Sequence, residues 1–282
     1  MPPVKSGKKL STSEIATIRT WIEQGAKWEA HWSLKPLKRP ALPKLPASQK
    51  DWARNPIDQF IRARQIEARV TPSAEVDNRT LIRLMTFDLI GLPPTPKEIA
   101  DFETAAKKDR DHAASNLADR LLASPHYGER WGRHWLDVVK YADTCGYDKD
   151  KLRPNAWPYR DYVIDSFNEG KPYARFVQEQ IAGDALFPGT ADGILGLGFI
   201  AAGPGDFIGH VEVPESKIDG RVARHIDRDE MMSNTLNTFT SATIQCARCH
   251  DHKFDPFTQK PVSYTHLRAH ETRHDLVCRL LL

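Results

Sequence analysis

A chain of 282 residues, 40% hydrophobic and 27% charged, has the make-up of an ordinary globular protein, sized for one large domain or two small ones. Its net charge of +3 is mixed along the sequence and offers no basic face to nucleic acid or anionic lipid. No apolar run approaches the roughly 20 residues of a membrane span, and four cysteines, of which only Cys246 and Cys249 are close together, make no disulfide framework.

In chain order, Met1-Pro2-Pro3-Val4-Lys5 leads into polar sequence without the apolar core of a signal peptide. Ser11 and Glu14 have the spacing of a capping box, in which a hydroxyl and a carboxylate satisfy the first helical amides. Ile15, Ile18, Trp21 and Ile22 then share one face, and Gly25 ends the helix. Pro36, Pro40, Pro43 and Pro46 deny helix to 29–50 and mark a basic, extended linker. Beyond it the period becomes helical, with Ile57, Phe60, Ile61 and Ile66 over 56–70 and Leu81, Leu84, Met85 and Leu89 over 80–90. Gly91-Leu92-Pro93-Pro94-Thr95-Pro96 is a stop, and Pro96 suits the first turn of a helix over 97–105. Further helices are expected over 116–122, 127–141, 159–167 and 173–181. Period-two alternation is scarce. The fold class expected is therefore mainly α, an irregular multi-helix domain with long loops over 51–260. The glycine-rich run 193–205 lacks the preceding strand, the Lys-Ser/Thr and the register of a nucleotide loop, so close helix packing is expected there. Cys145 reads as a small buried side chain.

Near the end of this domain, Met231, Leu236, Phe239 and Ile244 give 230–245 a helical lead-in to Cys246-Ala247-Arg248-Cys249-His250. Cys-x-x-Cys-His is the attachment signal of c-type haem. Two thiols on one turn can each add across a different vinyl group, and the next residue places an imidazole beneath the iron. Covalent haem c on Cys246 and Cys249, with His250 as proximal ligand, is the leading expectation. Zinc is the alternative cofactor, with His250 and His252 or Asp255 completing a four-ligand set; a redox dithiol is a further one. For the second axial position His134 is the candidate metal ligand, one turn before Asp137, which could orient its ring. His225, Met231, Met232 and His252 compete with it, and a five-coordinate iron is also open. Asp143, Asp161 and Asp184 are weighed as acid/base groups or ligands against plain capping and ion pairing.

The longer run Cys246-Ala247-Arg248-Cys249-His250-Asp251-His252-Lys253-Phe254-Asp255-Pro256 resembles the signature of the planctomycete-type cytochrome C domain families. His31-Trp32-Ser33-Leu34-Lys35-Pro36, Asp88-Leu89-Ile90-Gly91-Leu92-Pro93-Pro94-Thr95, Tyr127-Gly128-Glu129-Arg130-Trp131, Tyr159-Arg160-Asp161-Tyr162-Val163-Ile164 and Gln180-Ile181-Ala182-Gly183-Asp184 carry the same likeness, which spans 10–259. The resemblance implies a large exported chain with an N-terminal cytochrome domain, this middle domain and a further C-terminal one. It names a cofactor better than a reaction. Met1-Pro2-Pro3 and a helix ending Trp21-Ile22-Glu23-Gln24-Gly25-Ala26 resemble the last helix of a class I cytochrome c. That likeness implies that 1–28 are the remnant of such a domain and that Met1 is a sixth iron ligand; the competing reading of Met1 is a plain initiator.

The closing stretch 261–282 resembles a translated sequencing adapter. His266, His270 and His274, four apart, invite a metal site, yet on this reading they and Cys278 carry no function. Truncation after Lys260 is accordingly expected to leave the melting temperature unchanged; a clear drop would assign the segment to the fold. The expected function is electron transfer through covalent haem in an exported, periplasmic multi-domain protein with an unknown redox partner. The alternatives are a redox enzyme acting on extracellular, polysaccharide-derived material and a zinc-stabilised interaction module.

Overall fold

The computed structural model of the chain describes residues 10–28, 35–49, 52–146, 150–203 and 207–259, with the backbone alone at 207 and 208. Met1, His31-Trp32-Ser33-Leu34 and everything from Lys260 on, including His266, His270, His274 and Cys278, lie outside the described residues. The protein is mainly helical, as its sequence predicts; among the described residues there is no β-strand, only an isolated antiparallel bridge between Thr144 and Leu152. No helix of the described residues is long and apolar enough to cross a membrane. The chain divides into two compact units, Met1–Glu75 and Val76–Leu282.

The first unit holds α1 (Thr12–Glu23) and α2 (Pro56–Glu67), and a capping box starts each. The Ser11 and Glu14 box is the one its spacing predicts; Asn55 and Asp58 form the second, with Pro56 at the first helical position. After α1, Gly25 turns the chain in the left-handed region at φ 92°. Residues 36–46 have no regular structure, and a single 3-10 turn follows at Ala47–Gln49. Arg62 on α2 is buried and holds that turn, donating to Gln49 Oε1 at 2.6 and 3.0 Å and to the Val70 carbonyl.

In the second unit α3 (Asn78–Ile90), α4 (Pro96–Ala106) and α5 (Arg110–Leu122) enclose a small core of Ile82, Phe102, Ala113, Leu117 and Leu121. Gly91 ends α3 at φ 72°, where a side chain would be strained, and Thr95 with Glu98 boxes the start of α4. The start of α5 lies six residues earlier than the apolar period indicates, at Arg110, because the Asp109 carboxylate accepts from the His112 amide and caps it there.

The larger core joins α6 (Pro125–Val138), α7 (Trp157–Asn168), α8 (Tyr173–Leu186), α9 (Ala191–Leu195) and α10 (Gly198–Ala201). Glycines set the closeness of these helices. A Cβ at Gly128 on α6 would stand 2.3 Å from the Ile164 carbonyl oxygen of α7, and one at Gly183 on α8 would stand 2.1 Å from that of Gly193 on α9. Within the glycine-rich run, Gly193, Gly196 and Gly198 are close-packed, as the lack of nucleotide-loop context predicts, while 204–206 lie outside the described residues. Around it lie Val139, Tyr159, Tyr162, Val163, Phe176 and Phe199, with Trp135 and Phe239 packed against them. Their polar atoms are paired, as buried groups must be. Trp135 Nε1 and Tyr159 OH both donate to Gln180 Oε1, at 2.8 and 2.7 Å, and Gln180 Nε2 donates to the Phe176 carbonyl. Cys145 is buried, as expected.

Among the described residues two helices remain, the short α11 (Phe207–Val211) and the 23-residue α12 (Ile218–Thr240). The second half of α12 seals the large core: Phe239 lies 6.0 Å from the Trp135 ring and 5.1 Å from that of Phe199, and Asn234 Nδ2 donates to the Val139 carbonyl. Here the structure departs from the expected helix over 230–245. It begins twelve residues earlier, at Ile218, and stops at Thr240. Ser241 then breaks it in the left-handed region at φ 55°.

Candidate functional site

The Cys-x-x-Cys-His segment follows that break on a turn of its own. Residues Ile244–Arg248 form a 3-10 turn, with the Cys246 amide donating to the Thr243 carbonyl at 3.3 Å. With three residues per turn, side chains three apart lie one above the other. Ile244 and Ala247 make the inner stripe, 1% and 0% exposed, against Leu236 and Phe257. Cys246 and Cys249 make an outer stripe, and both thiols are exposed. Arg248 occupies the third side, where its guanidinium pairs with Asp229, a carboxylate that α12 holds almost fully buried.

Past the turn, His250 is exposed and its Nδ1 lies 2.8 Å from the Asp251 carbonyl oxygen. A carbonyl only accepts, so Nδ1 carries the proton. In the neutral ring the lone pair then sits on Nε2, the nitrogen free to bind a metal. His252 plays the opposite part. Its Nδ1 accepts from the Phe254 and Asp255 amides at 3.2 and 2.7 Å, and its Nε2 lies 2.9 Å from Thr243 Oγ1. Both ring nitrogens are engaged in building the loop, and the side chain is only 7% exposed. The loop is closed further by the His252 amide on the Phe257 carbonyl and by the Gln259 amide on Asp251 Oδ1.

The other sequence candidates stand apart from this turn or are otherwise occupied. His134 is exposed on α6, edge-on to Trp131 at 5.6 Å, and no hydrogen bond joins it to Asp137. Met232 is buried, Met231 packs against the large core and His225 is exposed. Asp143 accepts from Tyr141 OH at 2.7 Å, and Asp161 pairs with Arg160 at 2.9 Å. Asp184 lies past a kink in α8 at Ala182. Among the described residues no three of His, Cys, Asp and Glu converge where one metal ion could sit.

Two residues at the site escape sequence reasoning. Asp229 falls within Asp227-Arg228-Asp229-Glu230, a charged run that reads as a solvated face. Arg248 reads as a spacer between the cysteines.

Taken together, the described residues define an all-helical domain that presents an exposed Cys-x-x-Cys-His turn beside the end of its longest helix. Residues 56–270 match the family model PSCyt2, described as a protein of unknown function (DUF1549), and the chain belongs to that family, the planctomycete cytochrome C-associated domain family. The match opens on the first residue of α2 and runs into 261–270. No curated protein and no solved structure matches the chain.

Proposed function

We propose that the domain carries haem c attached covalently to Cys246 and Cys249, with His250 as proximal ligand, and serves electron transfer in an exported multi-domain protein. One observation carries the reading: the protonated Nδ1 of His250, held by the Asp251 carbonyl, leaves Nε2 as the ligating nitrogen next to two exposed thiols three residues apart. The donor set suits the group. When bound, haem supplies a one-electron couple. The chain supplies the rest: Ile244 and Ala247 anchor the turn, both thiols stay accessible for addition, and the Asp251 carbonyl fixes the ring tautomer.

Zinc has less support, because the ring of His252 is engaged on both sides and no three of His, Cys, Asp and Glu converge among the described residues. The enzyme reading has no comparable observation behind it, since Asp143 and Asp161 are engaged by Tyr141 and Arg160. Export and the periplasm follow from the cofactor, because stable attachment to Cys-x-x-Cys-His needs machinery that acts on exported chains.

The test is haem staining on a denaturing gel, with the protein made in a host that has haem-attachment machinery. The wild-type band should stain, and Cys246→Ala with Cys249→Ala should abolish it. His250→Ala should keep the stain but shift the reduced absorption bands. Equal staining in the double cysteine variant, or a wild-type protein that holds zinc and no haem, would overturn the reading.

A further inference from the structure

From Ile244 to Gln259, most side chains that are not proposed to touch haem have fixed partners. Ile244 and Ala247 are packed, Asp251 and His252 close the loop, and Gln259 Nε2 reaches the Arg248 carbonyl at 3.4 Å. Cys246, Cys249 and His250 are exposed instead. The turn is thus a scaffold fastened on one side and open on the other.

One of its fastenings is of a different kind. Asp229 is a charged group 4% exposed, with its side chain at 6%, placed on α12 and paired with Arg248, whose own side chain is 46% exposed. A buried carboxylate costs free energy that an apolar residue of the same size would not, and a buried ion pair is weak evidence for stability alone. Such a pair can fix one arrangement over others, because the buried carboxylate meets its countercharge only when the cation arrives at the right place. Here the cation is the residue between Ala247 and Cys249. The rotation that brings Arg248 onto Asp229 is the rotation that puts Ile244 and Ala247 inward and both thiols outward.

We propose that Asp229 and Arg248 are a positioning pair for haem attachment: α12 sets the rotation of the Cys-x-x-Cys-His turn through this contact, so that Cys246, Cys249 and His250 are presented together on its open side. The proposal rests on the haem reading of the same turn and deepens it. Neither residue is assigned a contact with the haem or a part in electron transfer.

The experiment uses the full chain, produced with haem-attachment machinery, and compares Arg248→Gln, Asp229→Asn and Arg248→Lys with wild type. Covalent haem is measured per folded molecule. Arg248→Gln and Asp229→Asn should each lower it about fivefold, and Arg248→Lys, which keeps the charge, should restore it to within about twofold. A pair that only stabilised the fold would lower the folded fraction and leave haem per folded molecule unchanged; that outcome overturns the proposal. If Arg248→Gln alone does not fold, Asp229→Asn with Arg248→Gln removes the buried charge together with its partner and is judged by the same criterion.

A second readout needs no haem. In protein made without attachment machinery, the iodoacetamide alkylation rates of Cys246 and Cys249 are followed, with the His250 ring tautomer read from its nitrogen chemical shifts. In wild type the two thiols should react at similar rates and Nδ1 should be the protonated nitrogen; in Arg248→Gln the rates should diverge severalfold and the tautomer preference should weaken. Unchanged rates and tautomer would sink the positioning role. A wild-type chain that takes no haem, yet shows these changes, would end the haem reading and leave the positioning pair standing.

Discussion

Gly183→Ala should destabilise the protein by about 3 kcal/mol or more, at the upper end of what overpacking costs. The added methyl would fall 2.1 Å from the carbonyl oxygen of Gly193 and 2.8 Å from its Cα. Both are backbone atoms, so no side chain can swing away, and α8 and α9 would have to separate. Gly189→Ala is the control, since Gly189 sits at φ 79° with nothing within 4 Å of the added atom. There only the left-handed backbone is strained, at a cost of about 1 kcal/mol. Urea denaturation of the two variants beside wild type separates steric from conformational cost. A Gly183→Ala protein as stable as the Gly189→Ala one would mean that α8 and α9 do not meet as described.

Glu179→Gln should have a comparable effect, and one that depends on pH. Glu179 is 1% exposed on α8 and accepts from Lys171 at 2.8 Å, Arg175 at 2.6 Å and Tyr162 at 2.8 Å. Burial pushes its carboxyl up, but the bonds from Lys171, Arg175 and Tyr162 outweigh burial and hold it below the ordinary value of 4.5. A carboxyl lowered by folding contributes stability that is fully present above its unfolded value and is lost as pH falls through its folded one. Wild type should therefore hold its stability from neutrality down to about 4.5 and lose it below. The amide variant should lose about 2–3 kcal/mol at neutral pH, because the charge-assisted bonds from Lys171 and Arg175 to a buried carboxylate are weakened, while Lys171 keeps its pairing with Asp192. Its stability should then change less on acidification. A variant with the same acid limb as wild type would show that other carboxylates carry it.

Much of the helical framework is legible in the sequence because it is written in local chemistry. Ser11 with Glu14 marks a helix start by groups that satisfy their own neighbours' amides, and Pro96 marks another because its fixed φ suits the first turn. Gly91 marks an end by a conformation that other residues avoid. The first half of α12 is hidden for the converse reason. Val222 and Ile226 there are about half exposed, so no apolar stripe announces it, and Arg224 and Asp227 make hydrogen bonds to residues outside the helix, among them Val213 and His210. The thiols and the imidazole are visible in the sequence as a motif. Their support is not, because the burial of Asp229 and the engagement of both nitrogens of His252 exist only once distant backbone has been brought together.

The long helix α12 also acts as a ruler. Asp229 grips the turn, Asn234 grips the end of α6, and Phe239 enters the aromatic core, all from one unbroken run of helical backbone. Removing one residue between Asp229 and Asn234 would rotate one grip against the other by about 100° and draw them together by about 1.5 Å. No side-chain adjustment absorbs such a turn. The spacing of these positions should therefore be nearly invariant in length among chains of this family even where the residues between them differ. An insertion tolerated in this stretch would have to come as a full turn or as a bulge that cancels its own rotation.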